Sequence, residues 1–242
     1  MTRFFITPEK MCSDVIILTG DYVQHAKVLR LRCGENVIVC DGQGMECLCL
    51  VDDLSVDQIQ LQILERRQSL SEPNVWVSVY VAFLKGDKLE HVIQKATELG
   101  ASEIVVFSSN RCVSRPDDKS IKKKLDRWQK IAASAAEQSC RGIVPQVIVA
   151  DSFVSALRRA ATADLGIFFY ENERATTLHM ALQGPYHSVS LISGPEGGFD
   201  DAEVELAQNN GLKICTLGRR ILRCETAPLC ALSALMYDSG EF

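Results

Sequence analysis

Two short motifs near the C-terminus combine glycines, carboxylates and arginines in a pattern that could hold a small molecule and act on it. The first occupies residues 193–198 and reads SGPEGG, and the second occupies residues 218–228 and reads GRRILRCETAP. Glycine permits positive φ angles and lets a ligand approach the backbone closely. Arginine can stabilise negative charge that develops on a substrate, and a carboxylate can orient the arginine or accept a proton. The two motifs therefore predict a site in which a polar molecule lies against exposed backbone.

Predicted strand ends position both motifs. An apolar strand at residues 188–192 runs into the first motif, and a strand at residues 212–217 runs into the second. Between them, Asp200 and Glu203 have the spacing of a capping box at a helix N-terminus, and Gly211 is suited to end that helix. Neighbouring strand ends form ligand crevices in open α/β sheets, so we expect the two loops to face the same molecule.

Each motif also has a purely structural interpretation. GPEGG alone can be a turn, and the second motif alone can be an arginine-flanked strand and helix start. Glu196 could cap or orient a loop, or it could offset positive charge, and the structural role is favoured. Arg223 and Glu225 leave two interpretations open, engagement of a substrate or an ion pair that holds the loop. Neither G-x-G-x-x-G nor G-K-[ST] is present, so dinucleotide and P-loop sites are not indicated.

The remaining sequence divides into a strand-rich part and an alternating part. Residues 1–70 carry short strand patterns and a hairpin signal at residues 41–44, which predict a small β-barrel-like domain. Polar residues and a proline at 69–73 mark the expected boundary. Residues 71–242 alternate strands and helices, which is typical of an α/β fold with a mainly parallel sheet. The expected strands are 75–83, 104–107, 144–149 and 166–170. One expected helix begins with Asp87 and Glu90 as a capping box, and two more are expected at 120–140 and 150–163.

Composition places limits on the class of protein. The chain has 242 residues, 47% of them hydrophobic, and contains no apolar run of membrane-spanning length. The N-terminus lacks a signal-peptide pattern, so we expect a cytoplasmic protein. Ten cysteines lie within apolar strand and helix patterns without a completed ligand set, so we expect no metal. The net charge of −5 means that an RNA partner would require local clusters of cations, for which residues 27–32, 85–88, 111–115 and 119–130 are candidates.

The motifs together resemble those of a known family. SGPEGGF followed by LGRRILRCETA is similar to the RsmE family of ribosomal RNA methyltransferases, within the SPOUT superfamily. The resemblance continues upstream in KGDK at 85–88, QKATELG at 94–100, NRC at 110–112, WQKIA at 128–132 and EQSCR at 137–141. RFF at 3–5 and residues 25–32 are similar to the family's N-terminal domain. The match covers essentially the whole chain.

The resemblance implies a fold and an activity. The fold would be a PUA-like β-barrel RNA-binding domain at 1–70 followed by a SPOUT methyltransferase domain at 71–242, with a trefoil knot in its parallel sheet. The activity would be methylation of N3 of one uridine, position 1498, in the 16S rRNA of the small ribosomal subunit, with S-adenosyl-L-methionine as cofactor and a homodimer as the active form. Alternatives are a SPOUT methyltransferase acting on another RNA site and a noncatalytic RNA-binding or assembly protein.

The resemblance also assigns residues. Arg223 and Glu225 would be catalytic, although Cys224 stands between them where Thr or a similar small residue is expected. Cofactor binding falls on Tyr170, Glu171, Ser193, Gly194, Pro195, Glu196, Gly197, Gly198, Leu217, Gly218, Ile221, Leu222, Arg223, Thr226 and Ala227. RNA binding falls on Arg3, Lys27, Arg30, Arg32, Lys85, Lys88, Arg111 and Arg141.

Overall fold

The computed structural model describes residues 1–114 and 116–242, which form two compact units. The N-terminal unit contains Met1–Glu72 and Ala136–Val144, and the second contains Pro73–Ala135 and Pro145–Phe242. The sequence did not indicate that residues 136–144 belong with the N-terminal part. The Glu72 carboxylate explains why they do, because it accepts hydrogen bonds from the backbone N–H groups of Gly142 and Ile143 at 2.8 and 3.1 Å.

The N-terminal unit is built on a five-stranded sheet. Its strands are β1 (Arg3–Phe5), β2 (Val15–Thr19), β3 (Asn36–Cys40), β4 (Met45–Leu54) and β5 (Gln58–Gln68), in the order β1-β3-β4-β5-β2. Residues Ile59 and Leu61 are fully buried while their strand neighbours face outward, as the alternating pattern predicts. The sequence did not predict the helix α1 (Asp21–Val28), which is eight residues long and buries only Val23 and Ala26.

The second unit is an α/β fold with a six-stranded sheet. Its strands are β6 (Trp76–Ala82), β7 (Glu103–Phe107), β8 (Gln146–Val149), β9 (Leu165–Phe169), β10 (Ser188–Ser193) and β11 (Lys213–Cys215), in the order β11-β9-β10-β6-β7-β8. Every neighbouring pair is parallel, which confirms the predicted parallel sheet. The helices are α2 (Lys88–Glu98), α3 (Asp118–Gln138), α4 (Phe153–Ala160), α5 (Leu178–Ala181), α6 (Asp201–Asn209) and α7 (Thr226–Asp238). The last three residues of α3 belong to the N-terminal unit.

The strand order brings three strand ends together. Strand β9 pairs with β10 on one side and with β11 on the other, all in the same direction. Their carboxyl ends at Phe169, Ser193 and Cys215 therefore meet at one edge of the sheet, and the loops that follow them are neighbours. Residues 221–223 have no regular secondary structure and lead into α7.

Two predicted capping boxes had different outcomes. At the start of α6, the Asp200 carboxylate accepts the Glu203 N–H at 2.9 Å and the Glu203 carboxylate accepts the Asp200 N–H at 3.0 Å, which confirms that prediction. The prediction for α2 is wrong, since Asp87 has φ −89° and ψ 3° and its side chain makes no cap. Glu90 instead forms an ion pair with Arg127 of α3 at 2.6 Å.

Neither a membrane-crossing helix nor a metal-binding group occurs in the part of the chain that the structure describes. Its longest helix, α3, is too polar to span a bilayer. No cluster of three His, Cys, Asp or Glu side chains among these residues could hold a metal ion.

Candidate functional site

A cavity of about 450 Å³ lies at the carboxyl ends of β9, β10 and β11. The loops after these three strands supply nearly all of its wall, and Lys88 in the first turn of α2 completes it. Its volume suits a small-molecule ligand. The lining residues are Lys88, Phe169, Tyr170, Glu171, Arg174, Ser193, Gly194, Pro195, Glu196, Gly197, Gly198, Phe199, Thr216, Leu217, Gly218, Arg219, Arg220, Ile221, Leu222, Arg223, Cys224 and Ala227.

Close packing explains two glycines of the first motif. Gly198 has a φ of +66°, and a Cβ built on it would lie 2.3 Å from Oε1 of Glu171. A Cβ on Gly197 would lie 2.9 Å from the Cβ of Arg111. Side chains at these positions would push the first motif away from its neighbours, so glycine is what lets its backbone form the cavity wall.

Hydrogen bonds fix the loops around the cavity. The Tyr170 hydroxyl donates to Oδ1 of Asp201 at 2.8 Å, which ties the loop after β9 to the start of α6. The Arg111 guanidinium donates to the carbonyl of Gly197 at 3.1 Å, which ties the loop after β7 to the first motif. The site is therefore held in place before any ligand enters it.

Lys88 joins the two motifs. Its ammonium lies 3.3 Å from Oε1 of Glu196 in the first motif and 3.4 Å from Oε2 of Glu225 in the second. The same ammonium lies 3.7 Å from Sγ of Cys224, whose thiol donates to Oε2 of Glu225 at 3.1 Å. Glu196 also accepts the backbone N–H of Lys85 at 3.0 Å, which supports its expected role in orienting a loop.

The charges in this cluster follow from its contacts. Partial burial acts to raise the pKa of Glu196, but the Lys85 N–H and the Lys88 ammonium outweigh it and lower the pKa. The hydrogen bond from the Cys224 thiol, with Lys88 nearby, lowers the pKa of Glu225. Burial raises the pKa of Cys224 to about 12, so the group remains a neutral thiol at physiological pH. Cys224 can thus donate a hydrogen bond in the place where a hydroxyl was expected.

Arg223 is exposed at the cavity wall. Its backbone carbonyl accepts the N–H groups of Thr226 and Ala227 at 2.8 and 2.9 Å, which begins α7. Among residues 1–114 and 116–242, no side chain forms an ion pair or hydrogen bond with its guanidinium. The alternative of an Arg223–Glu225 pair is wrong in this structure, because Glu225 pairs with Lys88.

The structure brings together nearly all of the predicted cofactor residues. Fourteen of the fifteen line the cavity; the exception is Thr226, whose N–H is used in the first turn of α7. The predicted catalytic residue Glu225 adjoins the cavity through Lys88 and Cys224. Seven lining residues were not among the predicted site residues, although they lie within or near the recognised motifs and strand ends: Phe169, Arg174, Phe199, Thr216, Arg219, Arg220 and Cys224.

Two of the predicted RNA contacts are wrong. Arg3 is 9% exposed and forms an ion pair with Glu46 at 2.8 Å, and Arg141 is 3% exposed and forms one with Glu72 at 2.6 Å. A phosphate contact requires an exposed cation, whereas these two guanidinium groups are enclosed by the N-terminal unit. Both arginines hold that unit together.

The other predicted RNA contacts differ in how exposed they are. Lys88 is half-buried at the cavity and is committed to its two carboxylates. Arg115, a neighbour of Arg111 in one candidate cluster, lies outside the described residues. The predicted RNA contacts that are exposed are Lys27, Arg30, Arg32, Lys85 and Arg111.

Comparison with known proteins identifies the family. A model described as an RNA methyltransferase domain matches residues 71–236, and one described as an RNA methyltransferase PUA domain matches residues 18–64. The chain is 38% identical over 250 residues to "Ribosomal RNA small subunit methyltransferase E" of Bacillus subtilis, across 99% of this chain and 97% of that protein. It is 32% identical to the protein of the same name from Mesomycoplasma hyopneumoniae, across 98% of this chain and 100% of that protein.

A solved structure agrees with these relatives. The ribosomal RNA small subunit methyltransferase E from Neisseria gonorrhoeae, bound to S-adenosyl methionine, superposes with a TM-score of 0.88 at 31% identity. The superposition covers 98% of this chain and 97% of that one. On the family models, the full-length relatives and the shared fold, the chain belongs to the RsmE family of ribosomal RNA small subunit methyltransferases.

Proposed function

We propose that the protein transfers a methyl group from S-adenosyl-L-methionine to N3 of one uridine, position 1498 by family resemblance, in the 16S rRNA of the small ribosomal subunit. The observation that carries this proposal is the cavity formed by three strand-end loops, with Arg223 exposed on its wall and its guanidinium unpaired among the described residues. The cavity would bind the methyl donor, and the unpaired guanidinium beside it would stabilise negative charge on the substrate.

The residues present fit S-adenosyl-L-methionine. The cavity combines apolar walls from Phe169, Leu217 and Leu222 with the glycine-rich backbone of the first motif, which suits a flat heterocycle and its polar edge. Glu171 adds a carboxylate to a wall that would face a cationic ligand. When bound, the donor supplies a methyl group on a positively charged sulfur, and the loops hold that group in a fixed direction.

Arg223 is suited to the substrate side of the reaction. Uridine N3 carries a proton and is a poor nucleophile while neutral, so negative charge must develop on the ring as the proton leaves. That charge is shared with the two carbonyl oxygens of the base. A guanidinium presents several N–H donors in a plane and remains charged, so Arg223 would stabilise those oxygens during transfer.

Glu225 is better suited to positioning than to proton abstraction. Its lowered pKa means that it is ionised at neutral pH and holds a proton weakly, which makes it a poor general base. Its contacts with Lys88 and Cys224 also direct it towards the protein. We therefore assign Glu225 the role of fixing the segment that carries Arg223.

The RNA partner is proposed to contact exposed cations. Lys27, Arg30 and Arg32 cluster within six residues of the N-terminal unit, and Lys85 and Arg111 are exposed in the second unit. A substrate in the ribosome implies a cytoplasmic protein. The homodimer and the trefoil knot remain proposals that rest on the resemblance to the SPOUT superfamily.

The test is a transfer assay on defined subunits. Purified protein would be incubated with S-adenosyl-L-methionine labelled in its methyl group and with small subunits that lack the modification. We expect one label per subunit, at N3 of the uridine. Label at another nucleotide would indicate a different RNA site, and absence of transfer combined with saturable RNA binding would indicate a noncatalytic binding protein.

A further inference from the structure

We propose that Lys88 is a positioning residue that couples the donor cradle to the segment that faces the uridine. The ammonium lies within 3.4 Å of Glu196, which belongs to the first motif, and of Glu225, which follows Arg223 by two residues. These two carboxylates come from separate loops, and Lys88 comes from a third element, α2. A single cation therefore bridges the two halves of the proposed active site. This inference rests on the proposed methyl transfer.

Lys88 does not stabilise the helix on which it lies. It is the first residue of α2, where the helix dipole disfavours a positive charge, and the side chain of the preceding Asp87 makes no cap hydrogen bond. Its side chain is 31% exposed and lines the cavity instead of extending into solvent. The two carboxylates compensate for the unfavourable position, so the ammonium is held at the site and not at the helix surface.

Removing the ammonium of Lys88 would affect both loops, because it pairs with Glu196 in one and with Glu225 in the other. The side chains of Glu196 and Glu225 are 24% and 22% exposed, so neither is fully solvated. Without Lys88, the two ionised groups would repel each other across a partly buried space. Glu225 would retain the thiol of Cys224, and Glu196 would retain the N–H of Lys85, but no hydrogen bond or ion pair among the described residues would join one loop to the other.

This coupling matters because methyl transfer depends on geometry. In-line transfer requires the donor sulfur, the methyl group and the attacking nitrogen to be aligned, and a misplacement of about 1 Å can reduce the rate about 100-fold. The first motif would hold the donor, and Arg223 would hold the base. Lys88 fixes the distance between the two supports without having to touch either reactant.

The first test uses Lys88→Met, which keeps the length of the side chain and removes its charge. We expect kcat for methyl transfer to fall about tenfold or more, while the Kd for S-adenosyl-L-methionine measured by calorimetry changes less than threefold. Lys88→Arg keeps the charge and is expected to recover most of the lost kcat. The matched control is Lys95→Met on the same helix, where Lys95 pairs with Glu98 at 2.8 Å away from the cavity.

A double-mutant cycle distinguishes coupling from a general loss of structure. If Lys88 acts through Glu225, the loss of kcat in Lys88→Met combined with Glu225→Gln will be well below the product of the two single losses. Multiplicative losses would overturn the inference. So would a loss of donor affinity as large as the loss of kcat in Lys88→Met, because Lys88 would then be a direct ligand of the donor.

Hydrogen exchange gives a readout that does not require activity. In Lys88→Met, we expect faster amide exchange in residues 193–198 and in residues 223–227 together, and no such change in Lys95→Met. Unchanged exchange in either segment would overturn the bridge even if transfer were reduced. If the wild-type protein transfers no methyl group, the proposed function fails, and a paired increase in exchange would still establish Lys88 as the link between the loops.

Discussion

At the scale of single residues, Arg223 combines exposure with a position on the cavity wall. We predict that Arg223→Ala lowers kcat about 100-fold to 1,000-fold, as expected for the loss of a donor that stabilises developing charge. Because the guanidinium has no partner among the described residues, stability should change by no more than about 0.5 kcal/mol. Transfer assays and urea unfolding measure the two effects. Arg158→Ala, on the exposed face of α4, is the control, and full turnover by Arg223→Ala would exclude Arg223 from the mechanism.

Gly198 allows a test of the donor cradle. Gly198→Ala and Gly184→Ala both place a side chain at a positive φ, +66° and +114°, and both should lose about 1 kcal/mol of stability. Only the alanine at 198 meets another group, Oε1 of Glu171 at 2.3 Å, and must displace that carboxylate from the cavity wall. We therefore expect about tenfold weaker binding of S-adenosyl-L-methionine by calorimetry for Gly198→Ala alone, or about 1.4 kcal/mol. Equal affinities in the two variants would contradict a donor site beside Glu171.

Sequence reasoning identified the residues of the two motifs but assigned Lys88, the cation between them, to RNA binding. The glycines and arginines lie within 36 residues of one another along the chain, so local patterns were sufficient to find them. Lys88 lies 108 residues before Glu196, and no periodicity or spacing connects the two. Tertiary packing of α2 against the loops brings Lys88 to the cavity. Without that packing, nothing in the sequence places Lys88 at the cavity.

At the scale of elements, residue type and spacing correctly predicted a capping box only where the residue before the helix has an extended backbone. Asp200 has φ −89° and ψ 167°, which points its carboxylate at the N–H of Glu203. Asp87 has the same spacing to Glu90, but its ψ of 3° turns the carboxylate away from the helix. Residue type and spacing are identical in the two cases. The angle at which the preceding loop arrives decides the outcome, and the loop conformation is set by tertiary contacts.

The start of α6 should be sensitive to acid. The side-chain hydrogen bond from Asn110, and then the N–H of Glu203, lower the pKa of Asp200 in the folded protein. A lowered folded pKa contributes stability above the unfolded value near 4, and this contribution is lost as pH falls through the folded value. We expect the Tm of wild type to fall more steeply below about pH 4 than that of Asp200→Asn, which keeps the cap acceptor. Glu205→Gln on the exposed face of α6 is the control, and identical curves for wild type and Asp200→Asn would refute the prediction.

At the scale of the whole molecule, the N-terminal unit includes residues 136–144, which are far from it in sequence. Arg141, within this segment, is enclosed with Glu72, while Arg3 is enclosed with Glu46 and also donates to the carbonyl of Arg141 at 3.3 Å. The sequence alone does not distinguish an arginine of a buried ion pair from an arginine that contacts RNA, because the carboxylate partner is distant along the chain. The fold of this unit therefore corrected two assignments that the family resemblance had suggested.

Loss of Arg3 should destabilise the protein and not act on RNA directly. Arg3→Met leaves the Glu46 carboxylate, which is 3% exposed, with Arg67 as its remaining ion-pair partner among the described residues. Because Arg67 still pairs with this carboxylate, the expected cost is that of one lost buried hydrogen-bond partner, about 1–3 kcal/mol, and not that of an unpaired buried charge. Urea unfolding should show this loss, with the affinity of the remaining folded protein for RNA unchanged. Arg32→Met, at an exposed position, should have little effect on unfolding, and equal stabilities for the two variants would contradict a structural role for Arg3.

The exposed cations of the N-terminal unit should act on RNA binding and not on stability. We expect a triple Lys27→Ala, Arg30→Ala, Arg32→Ala variant to bind small-subunit RNA more weakly, because fewer neutralised phosphates release fewer counterions. The slope of log affinity against log salt concentration should become shallower by about 0.7 for each phosphate that the variant no longer neutralises. Binding of S-adenosyl-L-methionine should be unchanged, since the lining of the cavity comes entirely from residues of the second unit. Lys10→Ala together with Arg66→Ala, two cations outside the cluster, is the control, and an unchanged salt slope in the triple variant would move the RNA-binding surface elsewhere on the protein.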